Sequence, residues 1–266
     1  MAFTGKRVVI VTGAGDGIGF HLTRALLESS FQVAGLDRNT NRLYQLAATC
    51  TDHLEVCECD VTDPSQVEAA VEAVIERWSR IDVLVNNACL AVFEPFDRED
   101  RMDSIRREFE VNFFGYLNLI RAVLPRMKSQ NEGVIHNVSS GVGMTGFPGL
   151  SGYTSTKGAV EALTRTLAFE LKAFGITVNL IHPPLTDTNS ASPLGIPQQM
   201  MSDPARVGRD LAAKIGSRQP IITPDWKTGC GLFINRHFPR LIGRLMVRQT
   251  RRVQSSSRPV AGKKEG

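Results

Sequence analysis

The sequence lacks the features that mark several classes of protein. No apolar run reaches the roughly 18 residues that a membrane-spanning helix needs. The five cysteines show no zinc-type spacing, and we predict no metal site. Their odd number, and an amino terminus that enters a predicted strand with no signal peptide before it, predict reduced thiols and a cytoplasmic location. The dinucleotide fingerprint Gly-x-Gly-x-x-Gly is also missing, because Ile18 and Phe20 stand where its last glycine would be.

The net charge of +4 is unevenly distributed along the chain. Residues 234–266 contain nine Lys or Arg and one acidic residue, so they carry +8 and leave −4 on the first 233 residues. A basic tail on a mildly acidic body is not the charge profile of a nucleic-acid-binding domain. We therefore expect no nucleic-acid partner.

Apolar runs rich in β-branched residues alternate with segments of helical periodicity. The runs are RVVIVT, QVAGLD, LEVCECD, IDVLVNN, GVIHNVSS and TVNLIHP, with QPIIT as a candidate short edge strand. Helices are predicted near residues 17–29, 39–48, 63–78, 104–128, 153–174 and 203–217. This order predicts an α/β fold, a single doubly wound Rossmann-type domain over residues 1–233 with a parallel sheet and helices on both faces.

The segment TGAGDGIG, residues 12–19, joins the first predicted strand to the first predicted helix. In a doubly wound sheet, ligands bind beyond the carboxyl ends of the strands. Glycines there let a pyrophosphate approach the backbone and the helix N-terminus, and they permit positive φ. A plain glycine-rich turn is the alternative, and four glycines between a strand and a helix favour cofactor binding over it.

Several motifs in one order resemble the short-chain dehydrogenase/reductase family over about residues 5–190. They are Thr12-Gly13-x-x-x-Gly17-x-Gly19, Asp60-Val61, Asn86-Asn87-Ala88, VNFFG with Asn112, NVSS ending at Ser140, YTSTK with Tyr153 and Lys157, and VNLIHPPLTDT. Ser140 lies thirteen residues before Tyr153, as the family requires. Three departures stand out: Cys89 and Pro184 replace glycines of the family pattern, and the usual C-terminal strand ending in Asp-Gly-Gly is absent.

The resemblance implies a catalytic set of Asn112, Ser140, Tyr153 and Lys157. Tyr153 would be the general acid/base, and Lys157, four residues later on the same helix face, would favour its phenolate and bind the nicotinamide ribose. Lowering the tyrosine pKa by ~3 units needs about 4 kcal/mol of differential stabilisation, from the Lys157 ammonium and an oxidised nicotinamide ring. Ser140 would orient the substrate oxygen, and Asn112 would hold a water in a proton relay.

The resemblance also implies a nicotinamide dinucleotide cofactor. Asp37, at the end of the second strand, would accept the adenine-ribose hydroxyls and repel a 2′-phosphate, which favours NAD over NADP. Arg38 is the counter-signal, because a basic residue there can hold that phosphate. The full predicted cofactor set is Gly13, Asp16, Gly17, Ile18, Gly19, Asp37, Arg38, Asp60, Val61, Asn87, Ala88, Tyr153, Lys157 and Thr188.

The substrate is expected to be a fairly apolar alcohol or carbonyl compound. Residues 189–201, which the family places over the substrate, contain no Lys, Arg, Asp or Glu. We predict an NAD(P)(H)-dependent oxidoreductase that interconverts a secondary alcohol and a ketone or aldehyde, and the resemblance implies a homodimer or homotetramer. The alternatives are a dinucleotide-binding sensor or scaffold without turnover, and a membrane-surface reductase of lipid-like carbonyls. His136 and His182 are interpreted as structural, with His182 at the active-site mouth as the alternative.

The C-terminal region predicts a basic amphipathic helix over residues 234–253. Ile234, Phe238, Leu241, Ile242, Leu245 and Met246 share one helix face, and Arg236, Arg240, Arg244 and Arg248 recur on roughly the opposite side. Packing of this helix on the body or on a sister subunit is favoured over binding to anionic lipid. Pro239 is a candidate first residue of the helix. Residues 254–266 are expected to be disordered.

Overall fold

A computed structural model describes residues 6–49 and 52–256. Seven parallel strands form one sheet in the order β3-β2-β1-β4-β5-β6-β7. The strands are β1 Val8–Thr12, β2 Gln32–Asp37, β3 Leu54–Glu58, β4 Val83–Asn86, β5 Gly133–Val138, β6 Ile176–Ile181 and β7 Ile221–Ile222. Every predicted strand is present, including the short one at the edge.

Ten α-helices connect or follow the strands in the described part of the chain. They are α1 Gly17–Glu28, α2 Asn41–Ala47, α3 Pro64–Trp78, α4 Arg101–Phe109, α5 Gly115–Gln130, α6 Val142–Thr145, α7 Ser151–Glu170, α8 Pro204–Ala212, α9 Trp226–His237 and α10 Pro239–Ser256. The side chains of Asp63 and Asp203 cap α3 and α8 by accepting backbone N–H bonds, and a proline follows each of them.

The hydrophobic core lies on both faces of the sheet. In β1, Val8 and Ile10 point into a cluster with α3 and α5, whereas Val9 and Val11 point into a cluster with α1 and α8. This alternation follows from the period of two in a strand, and it explains why the strand is apolar throughout. The predicted fold class is therefore confirmed.

The predicted helix over residues 104–128 differs from the structure near its middle. A π-helical turn, Glu110–Phe114, separates α4 from α5. Such turns are rare and are often found at functional sites. This turn contains Asn112, one of the predicted catalytic residues.

The single helix predicted over residues 234–253 is two helices in the structure. Residues up to His237 belong to α9, and α10 begins at Pro239 after Phe238 leaves the helical conformation at φ −128°, ψ 49°. Proline has no backbone N–H and its ring clashes with the preceding turn, so it is favoured in the first turn of a helix and disfavoured in its interior. α10 continues to Ser256, past the predicted start of disorder, and residues 257–266 lie outside the described part. None of the helices within residues 6–49 and 52–256 has the length and apolar character to cross a bilayer.

The sheet order changes direction between β1 and β4. Such a switch point opens a crevice at the carboxyl ends of the strands, where ligands bind in folds of this type. Thr12 ends β1, Asp37 ends β2 and Asn86 ends β4. Ser140 follows β5 by two residues. The predicted site residues therefore meet at one edge of the sheet.

Candidate active site

The glycine-rich segment is a tight turn that has no room for side chains. Gly13 and Gly17 have positive φ values of +64° and +52°. A Cβ on Gly19 would lie 2.0 Å from the carbonyl oxygen of Gly13. The N-cap residue of α1, Asp16, makes no side-chain capping bond, and the first turn of the helix has no acidic residue. A helix N-terminus of this kind fits an anionic group such as a pyrophosphate.

Asn87 and Thr12 hold this turn against the end of β4. The backbone N–H groups of Asn87 and Ala88 donate to Thr12 Oγ1 at 2.9 and 3.0 Å. The Asn87 amide donates to the carbonyl oxygens of Thr12 and Gly13 at 2.9 and 3.2 Å. Asn87 also lines the cavity described below. Its visible contacts are therefore structural, and a contact with a ribose stays a prediction.

Asp37 lies beside the glycine-rich turn. Its carboxylate accepts the N–H of Gly15 at 2.8 Å and the N–H of Asn39 at 2.9 Å. Arg38 is exposed, and its guanidinium lies 3.7 Å from the Asp60 carboxylate. Val61 is buried. The carboxylate is thus fixed at the end of β2, where the sequence predicts it.

Arg42 is a cation at this end of the site that sequence reasoning missed. It pairs with Asp16 at 2.9 Å and stacks over the ring of Phe20 at 3.8 Å. The other oxygen of Asp16 accepts from the Asn189 amide at 2.7 Å. A 26-residue separation hides the Arg42–Asp16 pair in the sequence.

Tyr153, Ser140 and Lys157 meet where β5 faces α7. Ser140, Tyr153 and Lys157 all line the same cavity. The Lys157 ammonium lies 5.5 Å from the centre of the Tyr153 ring and donates to the carbonyl oxygen of Val138 at 2.8 Å. It also donates to the hydroxyl of Tyr116 at 3.2 Å. Tyr116 escaped the sequence analysis, although it follows Asn112 by four residues.

Burial is the largest influence on the pKa values of Tyr153 and Lys157. It raises the pKa of Tyr153 well above its usual value, with a further increase from the nearby Cys89, and the Ser140 hydroxyl only partly offsets them. Burial also lowers the pKa of Lys157. Burial therefore disfavours the phenolate form of Tyr153, and a nearby positive charge would have to compensate for the desolvation.

Asn112 points out of the π-helical turn toward the loop after β4. Its side-chain oxygen accepts the N–H of Leu90 at 2.7 Å, and its amide donates to the Leu90 carbonyl at 2.8 Å. The amide also donates to Thr156 Oγ1 at 3.1 Å, one residue before Lys157. Asn112 thus connects that loop to α7, and its part in a water relay stays a prediction.

A cavity of about 380 Å³ opens beside Tyr153, and most of its wall is apolar. Ala191, Pro193, Leu194 and Ile196, from the predicted covering segment 189–201, line it together with Leu185. Cys89 and Pro184, the departures from the family pattern, and the predicted cofactor residues Ile18 and Thr188 also line it. One wall is unexpected, because α9 contributes Thr228, Leu232 and Asn235.

The two buried histidines differ in position. His136 lies within β5, where it accepts the N–H of Gly216 at 3.0 Å and hydrogen-bonds the side chain of Asn179, so its structural interpretation agrees with these contacts. His182 follows β6 and lines the cavity, 3.7 Å from Glu161, so the alternative at the active-site mouth describes it better. Burial and the Lys157 charge lower the pKa of His182 to about 4, so its ring is neutral.

A buried ion pair supports the start of α7. Arg101 and Glu108 on α4 lie 3.1 Å apart, and their side chains are 1% and 0% exposed. Glu108 accepts the N–H of Val92 at 2.9 Å. A Cβ on Gly152 would lie 1.9 Å from the Glu108 carboxylate. This pair therefore packs beneath the start of α7, next to Tyr153.

Comparison with known proteins agrees with this geometry. The family model described as short chain dehydrogenase matches residues 7–198. The chain belongs to this family. An uncharacterized oxidoreductase of Bacillus subtilis, YusZ, is 38% identical over 67% of this chain and 64% of its own length. The 2-(R)-hydroxypropyl-CoM dehydrogenase of Xanthobacter autotrophicus is 36% identical over 69% of this chain and 76% of its own.

Solved structures of family members extend the likeness to the whole fold. A short-chain dehydrogenase from Streptomyces avermitilis is 28% identical and superposes with a TM-score of 0.77 over 97% of this chain and 100% of its own. Two others, each 26% identical over 82% of this chain, contain different cofactors. The 3-ketoacyl-(acyl-carrier-protein) reductase of Brucella melitensis is complexed with NADH, with 94% of its chain covered and a TM-score of 0.73. The alcohol dehydrogenase of Thermococcus sibiricus is complexed with 5-hydroxy-NADP, with 96% covered and a TM-score of 0.74. The family thus uses NAD(P).

Proposed function

We propose that this chain is an NAD(H)-dependent oxidoreductase that interconverts a secondary alcohol and a ketone or aldehyde on a fairly apolar substrate. The observation that carries the proposal is that Ser140 and Tyr153 line one apolar cavity together, with the buried Lys157 ammonium 5.5 Å from the centre of the Tyr153 ring. We further propose a homodimer or homotetramer, which rests on the family resemblance alone.

Ser140 would position the substrate, and Tyr153 would transfer the proton. Ser140 would hold the carbonyl oxygen toward Tyr153, and the neutral phenol would then donate its proton to that oxygen in the direction of reduction. In the reverse direction the phenol must first lose a proton, which requires a positive charge close enough to overcome its desolvation. The buried Lys157 ammonium is the group on this chain that could contribute it.

A nicotinamide cofactor, when bound, supplies or accepts the hydride. The residues proposed to hold it are the glycines of the first turn, Ile18, Asn87, Ala88 and Thr188 near the crevice, and Asp37, Asp60 and Val61 toward the adenine end. The tight turn, in which a Cβ on Gly19 would clash with the Gly13 carbonyl oxygen, supports this assignment, because a turn without side chains lets a pyrophosphate approach the backbone. Asp37 supports NAD over NADP, because its fixed carboxylate would repel a 2′-phosphate.

The test is the turnover of Tyr153→Phe, after a screen of ketones and secondary alcohols with both cofactors at the nicotinamide absorbance. We expect a loss of at least ~10²-fold, the usual scale of acid–base catalysis, with cofactor affinity largely retained. Tyr44→Phe is the matched control, since Tyr44 is exposed on α2. Near-wild-type turnover of a folded Tyr153→Phe protein would contradict the mechanism.

A dinucleotide-binding sensor without turnover is the second candidate. The bonds of Lys157 to Val138 and Tyr116, and the presence of Pro184 in the cavity wall, favour it. Calorimetric binding of cofactor without hydride transfer to any carbonyl in the screen would support this reading against the first.

A further inference from the structure

Helices α9 and α10 leave large apolar side chains in solvent. Trp226 and Phe233, seven residues apart on one face of α9, are 73% and 63% exposed. On α10, Leu241 and Leu245 are 57% and 46% exposed. Phe238, between the helices, is exposed as well. We call these five residues the C-terminal patch.

The packing of α10 explains why only part of its apolar face is covered. Ile242, Gly243 and Val247 are half-buried, and a Cβ on Gly243 would lie 3.2 Å from the carbonyl oxygen of Thr145 at the end of α6. α10 thus approaches α6 with the side of the helix away from Leu241 and Leu245. These two leucines face outward beside the exposed Arg240, Arg244 and Arg248.

The basic residues around the C-terminal patch indicate which kind of surface it binds. Residues 226–264 contain ten Lys or Arg and no acidic residue. A twofold contact between two copies through the patch would bring their arginines together with no carboxylate from this segment to neutralise them. An apolar patch rimmed by arginines instead matches the boundary between anionic headgroups and acyl chains, where aromatic rings and Leu insert and Arg remains at the charged surface.

We propose that the C-terminal patch docks the protein on an anionic lipid bilayer as a peripheral surface contact. The opposite face of α9, with Thr228, Leu232 and Asn235, lines the cavity beside Tyr153. One helix therefore separates the docked surface from the cavity, which brings the apolar cavity close to the lipid. This inference rests on the proposed function, and it implies that the substrate is a lipid-like alcohol or carbonyl compound.

The test is co-sedimentation of the purified full chain with phosphatidylcholine vesicles, with and without about one third phosphatidylserine. We expect binding to the anionic vesicles only, and its loss at about 1 M salt, where the Debye length falls to about 3 Å. Each basic residue near such a surface strengthens binding about five-fold, so replacing Arg240, Arg244 and Arg248 with Gln should lower the partition coefficient by about 10²-fold.

Matched controls distinguish binding through the C-terminal patch from non-specific effects of charge and hydrophobicity. Gln at Arg24, Arg106 and Arg209 removes the same charge from exposed positions elsewhere and should leave binding intact. Phe233→Ser should weaken binding, whereas Ser at the equally exposed Phe96 should not. In a Trp78→Phe background, Trp226 is the sole tryptophan and its emission should shift to shorter wavelength on anionic vesicles.

Three results would overturn the proposal. The first is no binding to anionic vesicles at low salt, and the second is binding that the α10 triple variant retains. The third is a dimer that Leu241→Ser and Leu245→Ser dissociate, with no vesicle binding, because the patch would then be covered by a second copy. The binding measurement needs neither cofactor nor substrate, so it can fail while the proposed oxidoreductase activity stands, and the reverse also holds.

Discussion

Removing Arg101 should destabilise the protein strongly. Arg101→Met leaves the Glu108 carboxylate buried without its cation, since both side chains are almost completely inaccessible. Loss of one partner of a buried pair costs about 3–5 kcal/mol in the free energy of unfolding. At about 2–4 °C per kcal/mol for a domain of roughly this size, the melting temperature should fall by roughly 10 °C.

The double variant Arg101→Met/Glu108→Met should recover most of this loss, because two apolar side chains of similar volume need no partner. Glu108→Met alone leaves the guanidinium buried and should resemble Arg101→Met. The three proteins and the wild type form a double-mutant cycle, measured by urea unfolding. Additive effects in this cycle would refute the pair as an energetic unit.

The deficit of Arg101→Met should depend on pH in a defined direction. Burial is the main cause of the raised pKa of Glu108, and Arg101 acts against it. When the folded-state pKa lies above the unfolded value, the native state holds the proton more tightly, and stability falls as pH rises. The variant should therefore be closest to wild type below the ordinary pKa of 4.5 and furthest from it at neutral pH. A deficit that shrinks as pH rises would contradict this reasoning.

Two further predictions concern the cofactor site. Calorimetry should show tighter binding of NADH than of NADPH. Asp37→Ala should narrow this difference in affinity, because it removes the repulsion of a 2′-phosphate. The control Asp103→Ala, at an exposed position on α4, should leave the difference unchanged. Tighter binding of NADPH to the wild type would mean that Arg38 and Arg42 outweigh Asp37. Gly19→Ala should weaken cofactor binding at least ~10-fold, because its methyl group would force the turn apart. Gly229→Ala is the control, since a Cβ at this helical position would lie 3.4 Å from Thr223 Oγ1, an ordinary contact. Unchanged affinity of a folded Gly19→Ala protein would contradict the proposed role of this turn in cofactor binding.

Most strands were predictable because they are short runs rich in branched apolar residues, the pattern of a sheet covered on both faces. The start of α3 and α8 was equally clear, since an aspartate followed by proline is a local signal that no distant contact needs to create. The positions of Tyr153 and Lys157 followed from their spacing on one helix. Local chemistry therefore accounts for most of the architecture.

Features that depend on how distant elements pack were not predictable in the same way. The Arg101–Glu108 pair resembles an exposed polar helix face in the sequence, and only the packing of α4 beneath α7 buries it. The wall formed by α9 was missed because Gly229 and Gly231 interrupt its helical pattern. The environment of His182 was equally hidden, since its burial depends on Glu161 and on the cavity wall.

The π-helical turn Glu110–Phe114 determines how α5 is rotated about the helix axis relative to α4, and these two helices pack against different neighbours. One extra residue in a helical turn rotates everything after it by about 100° relative to a continuous α-helix. Before the turn, α4 must point Arg101 and Glu108 at the start of α7, and after it α5 must point Tyr116 and Leu119 into the interior. Deleting a single residue here would restore regular hydrogen bonding yet misalign one helix or the other. Natural variation in this stretch should therefore tolerate substitutions far more readily than changes in length.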